Sequence, residues 1–150
     1  MPIATKSSKF DISRESDTAN LAKKISKKVK KGDVLFFYGE IGVGKTTFIR
    51  YLINNLQKKD RHKLTEVPSP TFNLVNEYEL KSFFIQHYDL FRLKNKNETK
   101  NIGLLENCSN ILTLIEWPEK ITKKPKNRIE FRFEYKSKSD KRILKINEFK

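Results

Sequence analysis

Apolar positions along this chain alternate between strand-like and helix-like spacing. Residues 33–38 read Asp-Val-Leu-Phe-Phe-Tyr, which predicts a buried strand, and residues 47–56 carry apolar side chains at helical spacing. Upstream, a stripe of Leu21, Ile25 and Val29 predicts a helix that begins at Ser13 or Ser16 and ends before Gly32. Strands and helices that follow one another in this way predict an α/β fold.

The remaining apolar runs predict further strands. They comprise an antiparallel hairpin of residues 72–80 and 83–88, a buried strand at 111–115, and a terminal antiparallel hairpin of 129–135 and 143–146. The first twelve residues predict only a short strand near 10–12, and residues 102–105 predict a short helix. We expect one domain over residues 1–150, with a mostly parallel central sheet, flanking helices and antiparallel hairpins.

Composition narrows the class of protein. No apolar run approaches the ~20 residues that span a bilayer, and the polar start has no signal-peptide core, so we expect a cytoplasmic protein without membrane contact. The single cysteine excludes an internal disulfide. A formal charge of +14 favours a nucleic acid or an acidic protein surface as a partner. Its other explanation is compositional, because the lysines are spread along the chain.

The predicted strand at 33–38 runs into a glycine-rich turn. Residues 39–46 read Gly-Glu-Ile-Gly-Val-Gly-Lys-Thr, the pattern of a phosphate-binding loop, and the predicted helix follows directly. Its glycines let backbone N–H groups converge on a phosphate at a helix N-terminus. Lys45 is suited to reach the β- and γ-phosphates, and the Thr46 hydroxyl to ligate Mg²⁺. The predicted ATP contacts in the loop are Ile41, Gly42, Val43, Gly44, Lys45, Thr46 and Thr47.

A nucleotide-bound Mg²⁺ also needs a carboxylate at the end of a neighbouring strand. Glu116 and Asp89 each end an apolar run. Because the run before Glu116 is continuous, as in a strand buried on both faces, we assign the metal role to Glu116. Asp89 is then the candidate that positions the attacking water or the γ-phosphate.

Four motifs together resemble the bacterial TsaE family of P-loop ATPases, which act in tRNA threonylcarbamoyladenosine biosynthesis. They are the loop at 39–50, Ser-Pro-Thr-Phe at 69–72, His-Tyr-Asp-Leu-Phe-Arg-Leu at 87–93 and Ile-Glu-Trp-Pro-Glu at 115–119. The resemblance implies a compact P-loop NTPase fold that binds ATP and Mg²⁺. It also implies work with threonylcarbamoyl-transferase proteins of the TsaD and TsaB type, and the basic surface leaves direct tRNA contact open.

The resemblance further implies roles for individual residues. Thr71 would offer its hydroxyl toward the γ-phosphate and act with Lys45 and Asp89 in catalysis. Glu15 or Thr18, and Ser139 in the last hairpin turn, would lie near the ATP. For Arg92, contact with phosphate or a partner and a structural salt bridge both remain open. His87 is expected to be a hydrogen-bonded structural residue, and Trp117 either packs in the core or faces a partner.

Other functions compete with the ATPase. Asn95-Lys96-Asn97-Glu98 superficially resembles a guanine-reading element, but it follows no apolar strand and no Asp-x-x-Gly switch occurs, which disfavours a GTPase. A small-molecule kinase would need a substrate domain and a lid, for which 150 residues leave little room. A nucleotide-regulated RNA- or protein-binding module stays open. Since no arginine is obviously placed to act in cis, we predict slow ATP turnover alone and stimulation by partners.

Overall fold

A computed structural model describes residues 4–94, 98, 104–105, 108–136 and 140–150, and these form one seven-stranded sheet with two α-helices on it. The strands are β1 (Ala4–Asp11), β2 (Val34–Tyr38), β3 (Val75–Glu79), β4 (Phe84–Asp89), β5 (Ile111–Glu116), β6 (Arg128–Tyr135) and β7 (Arg142–Phe149). The helices are α1 (Glu15–Ser26) and α2 (Lys45–Lys59). Short 3₁₀ turns cover Cys108–Asn110 and Pro118–Lys120.

The strand order is β1-β7-β6-β2-β5-β4-β3. The four central strands, β6, β2, β5 and β4, run parallel. Antiparallel pairs join β3 to β4, β6 to β7 and β1 to β7. The expectation of a mostly parallel sheet was therefore too strong: the sheet is mixed, because both predicted hairpins pair at its edges and β1 extends one of them. Both hairpins themselves are confirmed.

Burial of β2 explains where the core lies. All five of its residues are buried. Leu35 and Phe37 face the cluster that includes α1 and α2, while Val34, Phe36 and Tyr38 face a second cluster built from the 88–93 and 115–121 segments. Both described α-helices therefore pack on one face of the sheet, and within the described ranges the other face is covered by turns and loops. The expected flanking by helices is therefore found on one face of the sheet.

Three boundaries in the first thirty residues differ from the sequence prediction. Strand β1 covers Ala4–Asp11 rather than residues 10–12, because it pairs with β7 along its length. Helix α1 is capped at Arg14 and not at a serine: the Asp17 carboxylate accepts the Arg14 backbone N–H at 3.2 Å and its guanidinium at 3.1 Å. Helix α1 ends at Ser26, so Val29 packs from the following loop.

Residues 104 and 105 form a turn, and the rest of the short helix predicted at 102–105 lies outside the described residues. Among the described residues, neither α-helix combines the length and hydrophobicity that crossing a bilayer requires.

Candidate functional site

The phosphate-binding loop joins the carboxyl end of β2 to the start of α2. Gly39, Gly42 and Gly44 all have positive φ, and Gly44 is the residue that caps α2. A side chain is excluded most strictly at Gly39, where a Cβ would lie 2.8 Å from Val43 Cγ1. The first N–H groups of a helix lack intrahelical acceptors and carry its positive dipole end, so this turn is built to receive an anion.

Lys45 lies inside this turn, only 5% exposed. Its ammonium donates to the carbonyl oxygen of Gly39 and lies 3.9 Å from the centroid of the Trp117 ring. Burial lowers the pKa of Lys45, while the carboxylates of Glu116, Asp89 and Glu119 act in the opposite direction. The Lys45 ammonium is therefore held partly desolvated, next to the loop amides, where it would attract a phosphate anion strongly.

Glu116 ends β5 beside the start of α2, as its position after a continuous apolar run suggested. The Thr46 hydroxyl donates to Glu116 Oε1 at 3.1 Å. On the other side, His87 Nε2 lies 2.7 Å from Glu116 Oε2, with both side chains buried. His87 Nδ1 is buried with no hydrogen-bond partner among the described residues, so the neutral Nε2–H tautomer, donating to Glu116, leaves no N–H unpaired. His87 is thus a hydrogen-bonded buried residue that orients Glu116.

Asp89 ends β4 directly beside Glu116 in the parallel register. Its Oδ2 accepts the Thr71 hydroxyl at 2.9 Å, and its Oδ1 accepts the backbone N–H of Phe91 at 3.0 Å. Ser69 extends this chain, since its hydroxyl lies 2.6 Å from that of Thr71. The Ser-Pro-Thr-Phe segment is therefore tied to the end of β4 by side-chain hydrogen bonds.

These groups surround one cavity of about 340 Å³ at the carboxyl edge of the parallel strands. Its lining comprises Ile41, Gly42, Gly44, Lys45, Thr46, Thr47, Ser69, Thr71, Asp89, Phe91, Glu116, Trp117 and Arg142. Most sequence-predicted site residues thus converge on one space. Trp117 is half-buried in this wall rather than wholly in the core, and its ring centroid lies 4.9 Å from that of Phe91 at an interplanar angle of 47°.

Other predicted residues lie elsewhere. Val43 is fully buried beneath the loop. Glu15 is exposed at the start of α1, accepts the Tyr51 hydroxyl at 2.9 Å, and is outside the cavity lining, as is the buried Thr18. Ser139 lies outside the described residues. Their predicted contacts with ATP remain predictions.

Arg92 also lies outside the cavity wall. Arg92 forms no salt bridge within the described part of the chain; its guanidinium lies 5.2 Å from the exposed ring of Phe72. Residues 95–97 are outside the described residues.

Arg142 is the basic residue that sequence reasoning missed. It begins β7, whose antiparallel pairing with β6 brings its start to the carboxyl edge of the parallel strands. Its N–H donates to Ser13 Oγ at 3.1 Å, and a Cβ at Gly44 would lie 3.8 Å from its Nη1. No carboxylate pairs with it among the described residues. Ser69 and Phe91 were within quoted motifs, but no local pattern singles out Arg142.

The chemistry of the donor set fits a nucleoside triphosphate with Mg²⁺. A hydroxyl and a carboxylate in direct contact, Thr46 and Glu116, are the oxygen donors that this ion prefers, and it takes its other ligands from phosphate and water. The glycine cradle leaves room for phosphate at the wall formed by Gly42 and Gly44. Lys45 and Arg142 supply positive charge on that same wall.

Comparison with known proteins adds independent information. A family model described as "Threonylcarbamoyl adenosine biosynthesis protein TsaE" matches residues 12–144. Relatives named "tRNA threonylcarbamoyladenosine biosynthesis protein TsaE" include one from Rickettsia bellii, 40% identical over 72% of each chain. Another, from Aquifex aeolicus, is 37% identical over 73% of this chain and 75% of its own.

The matched segment spans a smaller share of some relatives. It covers 72% of this chain but 61% of the Rickettsia felis relative, at 38% identity. The crystal structure of YdiB from Bacillus subtilis superposes with a TM-score of 0.69 over 97% of this chain and 87% of YdiB, at 22% identity, which supports the fold. The family model and the relatives agree with the motifs and with the site they build, and the chain belongs to the TsaE family.

Proposed function

We propose that this protein is a Mg²⁺-dependent ATPase required for the threonylcarbamoyl modification of the adenosine 3′ of the tRNA anticodon. The observation that carries the ATPase proposal is the contact of Thr46 with Glu116 beside a buried Lys45, at the N-terminus of α2. The tRNA-modification role comes from the names of the family and of its members. On this proposal, the protein works with threonylcarbamoyl-transferase proteins of the TsaD and TsaB type.

Each residue of the cavity has a role in this proposal. The loop amides and Lys45 hold the β- and γ-phosphates, and Arg142 adds a second cation at the wall beside Gly44. Thr46 and Glu116 would hold Mg²⁺, which when bound neutralises charge on the phosphates. To reach a phosphate, the Lys45 ammonium exchanges its bond to the Gly39 carbonyl for one to a phosphate oxygen.

The γ-phosphate end of the cavity belongs to Asp89 and Thr71. Their hydrogen bond, at 2.9 Å, ties the Ser-Pro-Thr-Phe segment to β4. When Thr71 turns its hydroxyl toward a γ-phosphate, Asp89 Oδ2 is released to accept a proton from the attacking water. Because this exchange must precede hydrolysis, we expect slow turnover by the isolated protein and faster turnover when a partner favours the rearranged segment.

One observation favours a second function, a nucleotide-regulated binding module. Both carboxylate oxygens of Asp89 already accept hydrogen bonds, from Thr71 and from the Phe91 N–H. An Asp89 that keeps these bonds in the ATP-bound protein would act as a structural tie. ATP occupancy would then set the conformation of the 69–89 segment, and hydrolysis would be incidental.

The two functions predict different results in one experiment. ATP turnover is measured for the protein alone and with the TsaD- and TsaB-type proteins, comparing wild type with Lys45→Ala and Glu116→Ala. Stimulated turnover that both substitutions abolish supports the ATPase. The binding module is supported instead if the protein binds ATP but shows no turnover under any condition. It is also supported if a variant that binds ATP but cannot hydrolyse it still allows tRNA modification.

A further inference from the structure

A second concentration of charged residues lies at the opposite edge of the sheet, where the parallel strands begin. Helices α1 and α2 both end there, and β6 begins at Arg128 beside the end of β7. We call this region the basic end and define it by Lys28, Lys30, Lys31, Lys59, Arg128 and Lys150. Strand β2 has five residues and spans about 17 Å, so the basic end and the ATP cavity lie on separate edges of the sheet.

Two cavities open on either side of the Lys30–Lys31 turn. The larger, of about 580 Å³, is lined by five basic side chains, Lys28, Lys30, Lys31, Arg128 and Lys150, against the two carboxylates of Asp33 and Glu148. The smaller, of about 320 Å³, includes Lys30, Lys31 and Lys59 with Asp60. Cations therefore outnumber carboxylates in both cavities.

Only some of the basic residues at the basic end form ion pairs with carboxylates of the described part of the chain. Lys30 pairs with Asp33 at 3.4 Å, and Arg128 with Glu130 at 2.7 Å. Within the described ranges, Lys28, Lys31 and Lys59 form no ion pair, and all three are exposed. Neighbouring unpaired cations repel one another, so an external polyanion would bind here with release of counterions.

Helix capping accounts for only some of these lysines. Lys58 and Lys59 lie in the last turn of α2, where cations favour the helix dipole. Lys28, Lys30 and Lys31 follow the end of α1 at Ser26 and are beyond its last turn. By contrast, the ATP edge carries carboxylates close to its cations, including Asp89, Glu116 and Glu119 around Lys45.

Aromatic side chains in the same cavities favour RNA over an acidic protein. Phe83 lines the smaller cavity and Phe149 the larger, and both are partly exposed. The Arg128 guanidinium lies 4.3 Å from the centroid of the Phe149 ring, which makes a cation–π pair at the cavity wall. Lysines interleaved with aromatic and arginine planes are suited to phosphates and unstacked bases together.

We propose that the basic end binds the phosphate backbone of RNA, while the ATP cavity on the other edge stays accessible. The identity of that RNA as tRNA rests on the proposed function, whereas the RNA-binding surface itself rests on the charges and cavities described above. Nucleotide binding and RNA binding are therefore separable by mutation.

The test uses the full chain and a fluorescently labelled, unmodified tRNA transcript. Anisotropy is measured over a salt series of about 50 to 200 mM for wild type, for Lys28→Gln/Lys31→Gln/Lys59→Gln, and for a matched control, Lys9→Gln/Lys94→Gln/Lys123→Gln. The control removes three exposed lysines outside the basic end. Thermal melting of all three proteins verifies that each is folded.

We expect the basic-end variant to bind tRNA about 10–100-fold more weakly than the control, with a salt slope reduced by about 2. Affinity for a fluorescent ATP analogue should be unchanged in both variants. Equal tRNA binding by the two variants, or no salt-dependent binding by wild type, would overturn the proposal. So would a basic-end variant that keeps its tRNA affinity but no longer binds the transferase proteins. If the protein showed no ATP turnover, that result would count against the proposed ATPase activity but not against RNA binding by the basic end.

Discussion

Alanine at Gly39 and at Gly42 separates two reasons for glycine in the phosphate-binding loop. Both residues have positive φ, +149° at Gly39 and +80° at Gly42. A Cβ at Gly39 would lie 2.8 Å from Val43 Cγ1 and 3.0 Å from the carbonyl oxygen of Phe133. For Gly42, the nearest atom is the Tyr135 hydroxyl, at 3.9 Å. Gly39→Ala thus forces packed atoms apart, whereas Gly42→Ala adds a methyl group in open space at the cavity wall.

The structure allows the size of this difference to be worked out. Positive φ in a residue other than glycine costs about 1–3 kcal/mol at either position. The close contacts at Gly39 add about 1–3 kcal/mol, as overpacking typically does. The free energies of unfolding of the two variants should therefore differ by about 1–3 kcal/mol, which is about 2–12 °C in Tm for a chain of this size.

Urea unfolding followed by circular dichroism measures the stability of both variants, and titration with a fluorescent ATP analogue measures binding. We expect Gly39→Ala to be the less stable variant. Gly42→Ala should be the more stable one, yet should bind ATP more weakly than wild type because its methyl group occupies space beside the loop amides. If Gly42→Ala were equally or more destabilised, or bound ATP normally, the steric reasoning would be wrong.

Four further predictions concern the charges and the aromatic ring in the cavity. Because burial lowers the pKa of Lys45, its ammonium loses its proton at a pH below 10.5. ATP affinity should therefore fall as the pH is raised toward 10.5. An ATP affinity that stays unchanged up to pH 10.5 in fluorescence titrations would contradict this. Glu116→Gln should raise the Mg²⁺ concentration needed for tight ATP binding about 10-fold or more, while affinity measured with EDTA is retained; an unchanged Mg²⁺ requirement would remove Glu116 from the metal site. Trp117 is the single tryptophan, 3.9 Å from the Lys45 ammonium, so ATP should change its intrinsic fluorescence, and Lys45→Met should lose most of that change. In the same titration Arg142→Gln should weaken ATP binding about 10-fold, and wild-type affinity in that variant would exclude a phosphate contact.

Features encoded by residues close together in the sequence could be predicted from it. The glycine pattern at 39–44, the buried strand before it and the helix after it are local, because spacing over a few residues fixes both periodicity and turn conformation. The ends of β4 and β5 also followed from single apolar runs, so Asp89 and Glu116 were expected at one edge, and the structure brings them into register. Their catalytic roles remain predictions.

Features that depend on the pairing of strands distant in the sequence could not be predicted from it. Arg142 reaches the cavity only because β7 pairs antiparallel with β6. The sequence near residue 142 contains no pattern that predicts its position at the cavity. The bond from His87 to Glu116 joins two parallel strands, and its geometry depends on their register.

The sequence by itself therefore determined the phosphate-binding loop, the two strand-end acids, both hairpins and the family resemblance. Only the tertiary structure decided that the sheet is mixed, that both described α-helices lie on one face, and that lysines scattered through the chain gather where α1 and α2 end. The physical reason is that periodicity reports which face of an element is buried, whereas strand order and surface charge depend on which distant elements pack together.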